Sequence, residues 1–258
     1  VRIFDLNKNN IMIKSLVITG LFLTSGIVFG QKLSIVSYKD GIQKLSGMVT
    51  SNAGKKLPGV LILPAWKGID GEAKTAAVEL EKAGYIAFIA DIYGDGNTPT
   101  DNASAGKLAG FYKENYADYQ QRIALALDEL KKSGAIPEKI AVIGYCFGGT
   151  GALEVARANM KVAGTVSIHG GLDKGKGREN ALISTKILVE NGADDQGVTP
   201  ENYSALVKEM NDGKADWQII TYANSKHTWT NPESQDYNEI MAKRAWNHTM
   251  MFLKEILK

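Results

Sequence analysis

One cysteine and three histidines in 258 residues leave few ways to bind a metal or staple a fold. A lone Cys146 cannot close an internal disulfide. Nor can it build a zinc site with histidines scattered at 169, 227 and 248. An excess of charge is missing too. The formal net charge is +2, and residues 1–30 hold Arg2, Lys8, Lys14 and Asp5, so the remainder carries equal numbers of basic and acidic residues. A balanced surface offers nothing to nucleic acid or to an anionic membrane, and neither is expected as a partner. No apolar run reaches the ~20 residues of a membrane-spanning helix. No internal repeat, linker or low-complexity segment divides the chain, and its length suffices for one domain with a sizeable core.

The longest apolar run, residues 15–30, follows Met12 and Lys14 and ends in a small residue before Gln31. A charged start, an apolar centre and a small terminal residue are the pattern of a secretory signal, with cleavage expected after Gly30. Residues 1–10 lie upstream of Met12 and add nothing to that pattern. The expected organisation is therefore a leader over 1–30 and one domain over 31–258, exported to the periplasm or secreted, with no stable membrane insertion once the leader is removed. A thiol kept in such an oxidising compartment is either buried or used.

Beyond the leader, segments 32–38 and 44–50 alternate as strands. Segments 58–64 and 85–91 are unbroken apolar runs of the kind buried in parallel sheets. Between these two, Ala73, Ala76, Ala77, Leu80 and Ala83 recur at helical spacing, so strand, helix and strand form a βαβ unit. Residues 94–106 read as a polar loop, followed by two helices, the second over 119–132. Strands are expected at 162–168, 186–190 and 217–222, with helices at 200–210 and 236–257. The fold class is α/β, with a mostly parallel sheet flanked by helices.

The chemistry centres on Gly144-Tyr145-Cys146-Phe147-Gly148-Gly149. An apolar strand at 139–143 precedes it and a helix start follows, which is the context of a nucleophile elbow, with Cys in the place of Ser. Small neighbours let the turn close, and the helix behind it directs its positive end at the sulfur. A P-loop is excluded because no Lys follows Gly148-Gly149. A Cys-dependent phosphatase is excluded because Ala152 and Leu153 stand where an Arg is required.

A thiol nucleophile needs a base and a group to orient it, at the carboxyl ends of later strands. Asp194 and Asp195 follow the strand at 186–190, and His227 follows the strand at 217–222. Cys, acid, His is the chain order of the α/β-hydrolase triad. His169, also just past a strand, is the rival base, but it precedes the acid, and Gly170-Gly171 marks a site-lining loop. His248 sits mid-helix as a packed or surface residue. The second oxyanion donor belongs in the loop Pro64-Ala65-Trp66-Lys67-Gly68, so the backbone N–H groups of Trp66 and Phe147 are the natural pair.

With these pieces in place the chain after the leader resembles the dienelactone hydrolase family. The carrying stretches are Leu63 to Asp70, Ala90-Asp91-Ile92-Tyr93-Gly94, the elbow, Gly192 to Val198 and His227-Thr228-Trp229. The resemblance implies an α/β-hydrolase fold, Cys146 as nucleophile, His227 as base and Asp195 rather than Asp194 as orienter. Ala65, Tyr93, Tyr145, His169 and Trp229 are expected to line the substrate site. No cofactor and no metal are expected, and the expected partner is a small-molecule substrate, with the protein acting as a monomer. Founding members carry a Glu where this chain has Ala65, and two substrate-binding Arg where it has Asp95 and Asn231. Without those cations, bidentate carboxylate recognition is lost, and an uncharged ester, lactone or thioester is the expected substrate. Two other readings stay open, a non-catalytic small-ligand-binding descendant and another Cys-elbow amidohydrolase. Amidotransferases of that kind place Glu two residues after the His, where this chain has Trp229.

Overall fold

The computed structural model describes residues 33–258, so the expected leader lies outside the described residues. Strands β1 (Ser34–Asp40) and β2 (Gln43–Val49) form an antiparallel hairpin that joins the sheet through β4. The remaining strands are β3 (Gly59–Leu63), β4 (Ile86–Ile89), β5 (Ile140–Tyr145), β6 (Gly164–Ile168), β7 (Lys186–Gly192) and β8 (Trp217–Tyr222). They run parallel, and the eight strands lie in the order β1-β2-β4-β3-β5-β6-β7-β8. This is the mostly parallel, helix-flanked sheet expected from the sequence.

Side chains alternate across the pleat, and this sorts the core into two layers. Val60, Ile62, Ala141, Ile143, Tyr145 and Val166 face α1 (Gly71–Lys82) and α6 (Glu239–Ile256). Leu61, Leu63, Phe88 and Val142 face α2 (Asn102–Glu114), α3 (Tyr116–Lys132) and α4 (Phe147–Arg157). Helix α5 (Pro200–Asp212) covers β7 on that second face through Leu206 and Met210. Both faces of β3 to β6 are covered, which is why these strands are unbroken apolar runs. Among the described residues no helix is long and apolar enough to cross a membrane.

Two boundaries depart from the sequence reading for local reasons. Helix α2 begins inside the segment expected to be loop. Asp101 accepts from the Ser104 N–H at 2.7 Å and Ser104 Oγ returns toward the Asp101 N–H, a capping box hidden in a polar run. Helix α6 starts at Glu239 rather than near 236, because Asn238 caps it through the Met241 N–H.

Helix α4, which carries the elbow, is clamped at its far end. Arg157 forks onto Glu209 of α5 with two bonds of 2.9 Å and reaches Glu154 at 2.9 Å, while Arg178 forks onto the same Glu154. Burial alone would raise the Glu154 pKa, but the two guanidiniums outweigh it and hold the carboxyl below its ordinary range. All three α4 and α5 members are buried, so deleting one charge strands another. Arg157→Met is expected to cost about 3–5 kcal/mol, a loss of roughly 10 °C in melting temperature for a domain of this size, measured by thermal denaturation.

Candidate active site

The elbow is a tight crossing of backbones. A Cβ on Gly144 would lie 1.9 Å from the Gly148 carbonyl oxygen, and one on Gly148 would lie 2.0 Å from that of Leu63. Only glycine permits these approaches. They bring the first turn of α4 against the end of β3, where the loop holding Ala65 and Trp66 begins. Cys146 sits at φ 54° and ψ −112°, a conformation that costs a non-glycine residue of order 1–3 kcal/mol. Its N–H is held by the Ile168 carbonyl at 3.0 Å and by His169 Nδ1 at 3.1 Å.

The structure brings three predicted residues into one line. Cys146 Sγ lies 3.0 Å from His227 Nε2, and His227 Nδ1 lies 2.8 Å from Asp195 Oδ2. The other carboxylate oxygen, Oδ1, accepts the Gly197 N–H at 2.8 Å. Asp195 is buried, whereas the imidazole of His227 is 41% exposed. Asp194, the alternative acid, is exposed, and its backbone N–H binds the Ser225 carbonyl. The hydrogen bond to Asp195, helped by that to Cys146, pushes the His227 pKa up to about 10. Burial works against ionisation of Asp195, but the bond to His227 prevails and leaves its pKa below the ordinary value.

His169 has the opposite surroundings. It is 1% exposed, and burial, reinforced by the nearby His227, holds its pKa down to about 3. With Nδ1 occupied by the Cys146 amide and Nε2 2.7 Å from Thr230 Oγ1, neither nitrogen is free to take a thiol proton. The ring stands edge-on to His227 at 5.5 Å. His169 is a support, not a rival base.

The loop holding Trp66, the expected oxyanion loop, is held from below. Tyr93, buried, donates its hydroxyl to the Trp66 carbonyl at 2.8 Å and stacks on Phe147 at 5.8 Å. Phe147 in turn stacks on Tyr119 at 4.5 Å, and the Tyr119 hydroxyl donates to the Phe147 carbonyl at 3.0 Å. Phe147 opens α4, where first-turn N–H groups have no intrahelical acceptor. Ala65 is half-buried and carries only a methyl group where the resemblance would place a carboxylate.

Three expected lining residues are placed elsewhere. Tyr145 precedes Cys146 on the strand, so alternation sends its ring to the α1–α6 face, into a separate cavity of about 570 Å³. Trp229 is fully buried against Tyr222, and His169 lies beneath the elbow. His248 binds the Tyr222 hydroxyl at 2.7 Å through Nδ1, away from the sulfur. Glu72 and Thr230 are drawn into the site's support without any signal in the sequence, since an acid in a first helical turn reads as ordinary capping. Among the described residues no group of three or more His, Cys, Asp and Glu side chains is arranged to hold a metal ion.

The model of the dienelactone hydrolase family matches residues 45–257. The chain belongs to the dienelactone hydrolase family. A similar protein is the probable 2-oxo-3-(5-oxofuran-2-ylidene)propanoate lactonase of Bradyrhizobium sp, 25% identical, with 83% of this chain and 90% of the relative covered. Protein usf of Aquifex pyrophilus is 26% identical over 85% of this chain and 96% of its own. Among solved structures, a dienelactone hydrolase-like promiscuous phosphotriesterase from metagenomic libraries has a TM-score of 0.82 at 30% identity. That match covers 88% of this chain and 99% of that protein. The fold is the α/β-hydrolase fold of this family.

The His227–Asp195 pair has a defined pH signature. His227 has a folded pKa raised above the ordinary 6.5, so its contribution to stability is complete below 6.5 and lost as pH climbs toward 10. Asp195 is lowered below the ordinary 3.8, so its contribution is complete above that value and lost on acidification. The excess melting temperature of the wild type over His227→Asn is therefore expected to be largest between about pH 4 and 6.5 and to shrink toward pH 10. Scanning fluorimetry across that range checks it, and a pH-independent difference contradicts it.

Proposed function

We propose that this family member hydrolyses a small uncharged ester, lactone or thioester, with Cys146 as nucleophile, His227 as acid and base, and Asp195 as the group that orients His227. The unbroken line from Sγ to Nε2 and from Nδ1 to the buried carboxylate, at a strained elbow, is the observation that carries this reading. In the proposed first step His227 takes the thiol proton and Sγ attacks the substrate carbonyl carbon. The carbonyl oxygen becomes an oxyanion facing the Trp66 and Phe147 N–H groups. Collapse expels the alkoxide or thiolate, which takes the proton back from Nε2 of His227 and leaves a thioester on Cys146. A water then gives its proton to His227 and attacks the thioester. The acid departs and the proton returns to sulfur.

Ala65 fits this scheme. Sγ is already 3.0 Å from the imidazole, so no carboxylate from the oxyanion loop is needed to withdraw the thiol proton. The absence of Arg at positions 95 and 231 supports an uncharged acyl group, and a lactonase among the relatives supports lactones and esters as the class. The leader pattern over 1–30 supports action after export, and the mature protein is proposed to work as a monomer.

The test is intact-mass spectrometry after mixing the protein with a short-chain activated ester. A transient adduct of one acyl group is expected on the wild type and none on Cys146→Ala, whose kcat is expected to fall about a thousandfold or more. Absence of the adduct, together with sluggish alkylation of Cys146 at neutral pH, sinks the reading in favour of a small-ligand-binding protein.

A further inference from the structure

A second hydrogen-bonded line reaches Cys146 through its main-chain amide, and nothing in the mechanism above uses it. It runs from the Cys146 N–H to His169 Nδ1 at 3.1 Å, and from His169 Nε2 to Thr230 Oγ1 at 2.7 Å. It ends where the Thr230 hydroxyl meets Glu72 Oε1 at 2.6 Å. Its four members come from the elbow, the turn after β6, the segment after β8 and the first turn of α1. The two ends give the line one direction. A backbone amide can only donate, so His169 Nδ1 carries no proton and Nε2 does. That N–H donates to Thr230 Oγ1, which leaves the hydroxyl proton for the carboxyl group of Glu72. Every donor and acceptor along the line is thereby assigned.

We propose that His169, Thr230 and Glu72 are positioning residues for the reaction, a buried relay that holds the Cys146 main chain at positive φ and so aims Sγ at the substrate carbonyl. Three features support this. Cys146 and His169 are both non-glycine residues at positive φ, 54° and 39°, and the bond between them joins two strained positions. Conformations of this kind persist only where surrounding contacts over-determine them. His169 is 1% exposed, so its ring is shielded from competing water, and Glu72 is 8% exposed. The same ring stands edge-on to His227, so it supports both nucleophile and base. The amide of Cys146 also meets the Ile168 carbonyl at 3.0 Å. Losing the relay is therefore expected to loosen the elbow without unfolding it.

The outer end of the relay is reachable. Glu72 and Thr230 line the cavity of about 570 Å³ between α1 and α6, so truncation of Glu72 leaves a hole that a small carboxylate can enter.

The proposal rests on the acyl-transfer reading, and the experiment separates the two. Acylation rate, KM and melting temperature are measured for wild type, Thr230→Val, Thr230→Ser and Glu72→Ala with an activated ester. Thr230→Val is expected to slow acylation about tenfold to a hundredfold, the effect of unpairing one buried partner, with KM changed less than about twofold. Thr230→Ser, which keeps the hydroxyl, restores the rate. Formate added to Glu72→Ala restores part of it and has no effect on Thr230→Val. Acylation of Thr230→Val at the wild-type rate overturns the relay while leaving Cys146 as nucleophile. A loss that follows melting temperature alone, with no rescue by Ser or formate, overturns it as well. A wild type that never acylates overturns the proposed function instead. The relay is then read without turnover by histidine nitrogen NMR, where His169 is expected as the Nε2–H tautomer, and an Nδ1–H tautomer overturns it.

Discussion

The positive φ of Cys146 is the constraint on which the site depends. The backbone reaches that conformation here only where neighbouring chains come closer than any Cβ allows. Gly144 and Gly148 supply that approach on one side, and Gly149 against Gly170 supplies it on the other. The cost of the conformation is offset by what surrounds it. Parallel pairing of β5 with β6 delivers the Ile168 carbonyl to the Cys146 amide, and His169, one residue on, provides a second acceptor. Changes at β6 are thus changes at Cys146, the proposed nucleophile.

Two histidines 5.5 Å apart meet opposite fates, and the surroundings decide which can act. His227 is partly open to solvent and faces a buried carboxylate, which favours its cation. His169 is enclosed, its acceptor nitrogen is taken by an amide, and desolvation favours the neutral ring. The effect runs from one ring to the other, since His227 further disfavours charge on His169. Separated pKa values in one site suit the exchanging role proposed for His227 and the holding role proposed for His169.

The polar interior elsewhere is sorted by the same rule. Arg157 and Arg178 pair with Glu154 and Glu209 behind α4, and the guanidiniums hold the Glu154 carboxyl below its ordinary range against burial. Glu190, on β7, has only hydroxyl partners in Tyr222 and Thr249, and burial drives its pKa well above the ordinary range. Glu72 is intermediate: burial raises it to about 7 against the bond from Thr230. Paired acids brace the elbow helix. Unpaired ones gather at the cavity on the opposite face.

Much of this architecture was legible in the sequence, because burial on both faces of a parallel strand demands an unbroken apolar run and the elbow demands glycines at set spacing. Segments 58–64 and 85–91, the strand before Cys146 and the order of Cys, acid and His follow from such local rules. The start of α2 was hidden, because Asp101 and Ser104 lie in a run whose composition reads as loop. Asp195 rather than Asp194 was already implied by the family resemblance, but tertiary structure alone decided that Tyr145 and Trp229 turn away from the sulfur, and that Glu72 joins Thr230 across 158 residues of chain. Strand periodicity and turn chemistry act over a few residues and are written locally. Contacts made where several strand ends converge depend on sheet order and loop geometry, which no short stretch of sequence contains.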